Sequence, residues 1–184
     1  LLLLLGASKG GWGQATVFSE NIGAGTGTQT IAATVFQNIS LTFSGTSDTR
    51  ITTPSDYGGA SGGKNVFFTN TVGTNFVISG INTSAFSSLV LRFGHAKSTN
   101  ASSNELVVEV SIDGTSWSPL SYSRPTGSGT ANWLLITPTG TIPSTSNLRI
   151  RFSQTSSTPQ FRIDDILLTG SLPAAPEANV QGNS

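Results

Sequence analysis

The chain has 184 residues, enough for one well-filled domain, and charged residues make up only 10% of it, with a formal net charge of +0. Its nine Lys and Arg residues are scattered along the sequence, so the basic stripe that nucleic-acid binding requires is absent. The chain has no cysteine, which excludes a disulfide framework, a thiol nucleophile and a zinc–thiolate site.

The N-terminus resembles a secretory signal peptide. Leu1–Leu5 is an apolar run, too short to span a bilayer, and small residues stand at positions −3 and −1 of a cleavage site after Ala15. We therefore expect residues 1–15 to direct secretion, 16–170 to form one domain, and the Pro- and Ala-rich residues 171–184 to be a linker or tail. The alternative is that the apolar run is an ordinary buried strand.

The central part of the chain shows the alternation of apolar and polar side chains that indicates β-strands. The clearest example is 105–112, which is followed by the turn dipeptide Asp113-Gly114 and by a returning strand at 116–122. Residues 148–152 alternate in the same way, and no stretch has a helical period. About ten short strands separated by Gly, Ser, Asn and Asp clusters predict an all-β fold, a sandwich or a barrel.

Several segments together resemble the jelly-roll domains of secreted multidomain proteins of Bacteroidota, which are akin to carbohydrate-binding modules. They are FSENI at 18–22, VFF at 66–68, VVEVSIDGTSW at 107–117, LRIRF at 148–152 and RIDDI at 162–166. The resemblance implies an antiparallel β-sandwich of two sheets, a secreted or cell-surface location, and binding of a polysaccharide or cell-surface glycan.

An acidic pair, Asp164-Asp165, lies inside the last apolar strand, where a buried charge is costly unless something compensates it. In the modules that the chain resembles, a structural calcium often links the first and last strands, which implies a calcium site at Glu20 and Asp164 with Asp165 as a second choice. Calcium takes about six to eight oxygen ligands. Successive residues of a regular strand point to opposite faces, so we do not expect both aspartates to serve one site. The alternative is an ion pair, for example between Asp164 and Arg162.

Candidate ligand-binding residues lie where strands give way to polar loops. Tyr57 lies in the long loop 52–64, and a loop of that length on a compact domain often carries function; a plain flexible loop is the alternative. The single histidine, His95, follows an apolar strand and could line a cleft with Arg92, although a solvated strand end would look the same. Tyr122 is a further aromatic side chain able to stack on a sugar ring.

Signals of catalysis are weak. A Ser-His-Asp triad would have to use His95, which nothing in the sequence orients, and glycoside hydrolysis needs two facing carboxylates. We therefore predict a non-catalytic binding or adhesion module of a larger extracellular protein. The alternative is a structural subunit of an extracellular filament or surface assembly, in which the N-terminal segment pairs with an exposed sheet edge of another copy of the chain.

Overall fold

A computed structural model describes residues 13–100 and 105–173, and these residues form an all-β sandwich of two antiparallel sheets. The predicted two-sheet sandwich is therefore confirmed. A short 3-10 turn, Ile31–Ala33, is the one helical element among the described residues. The strands are β1 (Gln14–Glu20), β2 (Gln29–Thr30), β3 (Thr42–Gly45), β4 (Asp48–Arg50), β5 (Asn65–Phe68), β6 (Asn75–Ile81), β7 (Ser87–Lys97), β8 (Leu106–Ser111), β9 (Ser118–Leu120), β10 (Leu134–Ile136), β11 (Leu148–Gln154) and β12 (Phe161–Ser171).

The first sheet has seven strands, in the order β10-β7-β12-β5-β4-β2, and β1 also pairs with β12. Strand β12 organises this sheet, because β7 runs along one of its sides while β5 and β1 share the other. β5 pairs with residues 161–163 and β1 with residues 166–171. The first and last strands are therefore neighbours, and the end of β1 lies close to the acidic pair. The second sheet has the order β3-β6-β11-β8-β9.

The core lies between the sheets and is rich in aromatic rings. The alternation predicted for β8 and β11 is present, since alternate residues of both strands are buried. Phe152 stacks on Phe76, and Phe93 approaches Phe152 edge-on with 5.1 Å between ring centroids, which joins the two sheets. Burial of each such side chain contributes roughly 1.5–3 kcal/mol relative to exposure.

The hairpin between β8 and β9 differs from the predicted two-residue turn. The connection covers residues 112–117, and within the Asp113-Gly114 pair only Gly114 has a positive φ, +80°. Oδ1 of Asp113 instead accepts the N–H groups of Thr115 and Ser116, each at 2.8 Å. These hydrogen bonds hold the pKa of Asp113 well below its usual range. The dipeptide therefore marks the turn, but the aspartate acts through its side chain.

Strand β1 begins before the predicted cleavage site. Gln14 and Ala15 pair with Ser171 and Gly170 of β12, so they belong to the sheet. The apolar run predicted to direct secretion and most of the predicted tail lie outside the described residues, and both boundaries stay predictions. Across the described ranges, no helix has the length and apolar character needed to cross a membrane.

Candidate ligand-binding cleft

A bulge in β12 places both carboxylates of the acidic pair on the outer face of the first sheet. The pairing of β12 with β7 shifts register between Asp164 and Leu167, and Asp165 has a φ of +50°. The hydroxyl of Ser55 lies 2.7 Å from Oδ2 of Asp164 and 3.4 Å from Oδ2 of Asp165. The expectation that neighbouring residues would point to opposite faces is wrong here, because the strand is not regular at this point.

The loop 52–64 folds over this bulge and is attached to it by the two aspartates. In addition to the Ser55 contact, the Tyr57 hydroxyl donates a hydrogen bond of 2.7 Å to Oδ2 of Asp165. The backbone N–H of Ser61 donates to the same oxygen at 3.1 Å. The loop thus has specific contacts to the sheet, in contrast to the alternative of a plain flexible loop.

The ring of Tyr57 rests directly on Gly94 of β7. A Cβ atom at position 94 would lie only 2.7 Å from Cε1 of the ring and 2.9 Å from its oxygen, closer than such atoms can approach. Burial, together with the hydrogen bond to Asp165 and the charge of that carboxylate, holds the pKa of Tyr57 well above its ordinary value. The hydroxyl therefore stays protonated and continues to donate to Asp165. Both the ring and the hydroxyl of Tyr57 are fixed in place.

An open cleft of about 450 Å³ lies beside Tyr57, a size typical of small-molecule sites. Its floor is the outer face of the first sheet. Arg92 of β7 lies opposite Leu167 of β12, and Leu167 lies opposite Ser19 of β1, so the three form one row across the sheet. Leu135 of β10 adds a second apolar side chain to the lining. The cleft thus combines an aromatic ring, two leucines and a cationic side chain.

Glu20 at the end of β1 also lines the cleft, but its carboxylate is fully engaged. Oε1 accepts the N–H groups of Ile22 and Gln37 at 3.0 and 3.2 Å. Oε2 accepts the backbone N–H and the side-chain Nδ2 of Asn38 at 3.1 and 2.9 Å. Four donors match the roughly four lone-pair positions of a carboxylate. Glu20, which is only 1% exposed, therefore fastens residues 37–38 to the end of β1.

Asp164 is buried without a compensating charge. It is 0% exposed and accepts hydrogen bonds only from Ser55 and from the N–H of Asp165, within the described part of the chain. Burial raises the pKa of Asp164 to about 8, and the charges of Asp165 and Glu20 act in the same direction. The alternative ion pair with Arg162 is not formed, because that guanidinium donates to two uncharged side chains.

The three predicted calcium ligands do not form a ready-made metal site. No group of three or more His, Cys, Asp or Glu side chains in the described ranges is arranged to hold a metal ion. Glu20 gives its lone pairs to N–H donors, whereas calcium needs a shell of oxygen ligands. As arranged, Glu20 and Asp164 do not fit calcium, and calcium binding stays a prediction.

Two of the four predicted ligand-binding residues lie away from the cleft. His95 points into the core, is 1% exposed, and shares a hydrogen bond of 2.8 Å between its Nδ1 and the guanidinium of Arg124. Burial and the neighbouring positive charges hold the pKa of His95 well below its usual value, so the ring is neutral. Tyr122 packs edge-on against Phe93 and donates its hydroxyl to the carbonyl of Leu106. The residues that the structure does bring together are Tyr57 and Arg92.

Leu135 and Leu167, which line the cleft, and Gly94, which supports the Tyr57 ring, were not predicted from the sequence. The alternation within β7 could have located Gly94, because it lies on the same face as Arg92 and opposite to Phe93 and His95. The two leucines carried no such signal, since an apolar residue in a strand normally indicates the core.

A second depression of about 410 Å³ is lined in part by Thr53 and Asp56 of loop 52–64. Its aromatic residues, Phe67 and Trp133, are 2% and 5% exposed. The guanidinium of Arg50 covers the ring of Phe67 at 3.6 Å from its centroid. These rings do not present a free surface to a ligand, so the cleft beside Tyr57 is the better candidate.

No family model matches this chain, and no match is found among curated proteins. Solved structures with a similar fold do exist. The K2 cleaved adhesin domain of Lys-gingipain has a TM-score of 0.53 at 14% identity, covering 82% of this chain and 98% of that one. The CBM22-1 xylan-binding domain from Paenibacillus barcinonensis Xyn10C has a TM-score of 0.51 at 14% identity, covering 92% and 100%. At this identity the similarity shows a shared β-sandwich fold.

Proposed function

We propose that this chain is a non-catalytic carbohydrate-binding module of a secreted protein, and that it binds a polysaccharide or cell-surface glycan in the cleft beside Tyr57. The observation that carries the proposal is the anchored ring of Tyr57 at the wall of an open cleft that also holds Arg92. Such clefts combine apolar and aromatic lining with a few polar groups that fix the ligand. A sugar ring fits this lining, because it has an apolar face and polar hydroxyl edges.

The contacts around Tyr57 supply pre-organisation. Its ring rests on Gly94 and its hydroxyl is held by Asp165, so little side-chain freedom is lost when a ligand arrives. Asp165 is therefore a positioning residue, which acts on the ligand through Tyr57 and the loop. The names of the two similar structures, an adhesin domain and a xylan-binding domain, are in keeping with a binding role.

Affinity electrophoresis of the chain against a panel of soluble polysaccharides tests this proposal. We expect retardation by at least one class, and a loss of affinity of about thirtyfold in Tyr57→Ala, the size expected for a central aromatic contact. Trp117→Ala is the matched control, since Trp117 lies in the connection between β8 and β9, under the guanidinium of Arg151 of the second sheet. Equal losses in the two variants, or no retardation on any glycan, would contradict the proposal.

Two further parts of the account remain proposals. A calcium ion at Glu20 and Asp164 would require Glu20 to exchange its N–H donors for the ion. Assembly into a filament by strand exchange would involve the N-terminal segment 1–15, of which residues 1–12 lie outside the described ranges and Gln14 and Ala15 pair with β12 of the same chain.

A further inference from the structure

The described ranges contain eight of the nine Lys and Arg residues of the chain. Arg92 differs from the other seven in its hydrogen bonding. Each of the seven others donates a hydrogen bond to an identified acceptor. The pairs are Arg50 with Asp48, Lys64 with Gln29, Lys97 with the Pro125 carbonyl, Arg124 with His95, Arg149 with the Ile112 carbonyl, Arg151 with Glu109, and Arg162 with Asn65. Arg92 has no such acceptor within the described part of the chain. It is an exposed residue and lines the cleft.

Neither of the two carboxylates that line the cleft forms an ion pair with Arg92. Glu20 accepts four hydrogen bonds from N–H donors, and Asp165 accepts from the Tyr57 hydroxyl and from the Ser61 N–H. Both acids are therefore used to hold the walls of the cleft in place. The guanidinium is left with its five N–H donors in a planar fork.

The planar fork of an arginine matches the two oxygens of a carboxylate, with two parallel charge-assisted hydrogen bonds. Arg92 stands in one row with Leu167 and Ser19 on the cleft floor, and Tyr57 forms part of the wall. A ligand held here thus meets apolar surface and an unpaired guanidinium within the same cleft. A sugar ring that carries a carboxylate offers both partners.

We propose that the cleft selects an acidic glycan, and that Arg92 binds the carboxylate of a uronic acid residue. This inference rests on the proposed function, because it names the ligand class of the same cleft. A neutral glycan would leave the charge of Arg92 without a partner, so the acidic form of a given polysaccharide binds more tightly than its neutral form.

The test compares each polysaccharide with its own uncharged derivative, in chelator so that calcium bridging does not contribute. Polygalacturonate is measured against its methyl-esterified form, and glucuronoxylan against carboxyl-reduced glucuronoxylan. We expect the acidic form to bind about tenfold to a hundredfold more tightly, the size of a charge-assisted contact. The preference should weaken as salt is added.

Arg92→Gln should reduce this preference to near unity, and Arg92→Lys should restore only part of it, because an ammonium group lacks the fork. Arg149→Gln, which removes one charge from the second sheet, is the matched control and should keep the full preference. Equal binding of acidic and neutral forms by the unaltered chain, or tighter binding of a sulfated glycan such as carrageenan, would overturn the inference. If neutral glycans bind as well as acidic ones and Tyr57→Ala removes that binding, the proposed function stands and the inference about acidic glycans fails. If no glycan binds, the proposed function and the inference both fail.

Discussion

Replacing the buried Asp164 with asparagine should stabilise the protein, and increasingly so as pH rises. In the folded chain the carboxyl is 0% exposed and burial raises its pKa to about 8, whereas an unfolded aspartate titrates near 3.8. Between these two values the folded state holds a proton that the unfolded state has released. Stability contributed by the protonated group is therefore fully present below about pH 4 and is lost as pH rises towards 8.

The size of the effect follows from the same pKa values. Each pH unit between them costs about 1.4 kcal/mol, so the free energy of unfolding should fall by about 3 kcal/mol between pH 5 and pH 7 because of this group. An asparagine side chain at this position would be neutral at every pH. Its amide can keep both existing contacts, accepting the N–H of Asp165 and donating to the hydroxyl of Ser55. We expect Asp164→Asn to match the unaltered chain near pH 4 and to exceed it by about 3 to 4 kcal/mol at pH 7.

Urea unfolding followed by tryptophan fluorescence at several pH values, in chelator, measures this difference. His95 also makes stability depend on pH, because its lowered pKa destabilises the folded chain as pH falls. Both proteins contain His95, so subtracting the stability curve of the unaltered chain from that of Asp164→Asn cancels this contribution. Asp48→Asn is the control, because it removes a partly exposed carboxylate paired with Arg50 and should change stability by less than about 1 kcal/mol. A difference between Asp164→Asn and the unaltered chain that stays constant from pH 5 to pH 8 would refute the reasoning.

Three other perturbations test separate parts of the structure. Gly94→Ala should lower glycan affinity about tenfold, because the new methyl group displaces the anchored Tyr57 ring; unchanged affinity in calorimetric titration would show that the position of the ring is unimportant. If calcium binds at Glu20 and Asp164, the melting temperature of the unaltered chain should rise when calcium is added, and that of Asp164→Asn should not. Equal melting temperatures of the unaltered chain in calcium and in chelator would contradict the calcium prediction. Arg124→Leu should destabilise the chain by about 3 kcal/mol in urea unfolding, because the carbonyls of His95, Thr130 and Asn132 lose a charged donor; a loss below about 1 kcal/mol would mean that water replaces it.

The fold was predictable because strand signals are local. Alternating residues in β8 and β11 predict which side chains are buried, and the Asp113-Gly114 dipeptide marks a turn. The detailed turn was not predictable, since Asp113 bonds to two N–H groups with its side chain and this competes with the two-residue geometry.

The candidate site was predictable in part. The long loop drew attention to Tyr57, which the structure places beside the cleft. The resemblance to jelly-roll modules drew attention to Glu20 and Asp164, which the structure places at neighbouring positions of the first sheet. The bulge at Asp165 could not be read from the sequence, because a left-handed backbone at an aspartate depends on the loop contacts that stabilise it. Side chains alternate between the two faces of β7, and this alternation could have separated outward-facing Arg92 from core-facing His95.

The most direct test of the proposed site is an NMR titration of the isotope-labelled chain with an oligosaccharide of whichever polysaccharide it binds. The account predicts that the largest amide shift changes occur in the loop at 57–61, at Arg92 and at 165–167, around the cleft. Shift changes confined to the outer face of the second sheet, on β6, β11 and β8, would contradict it.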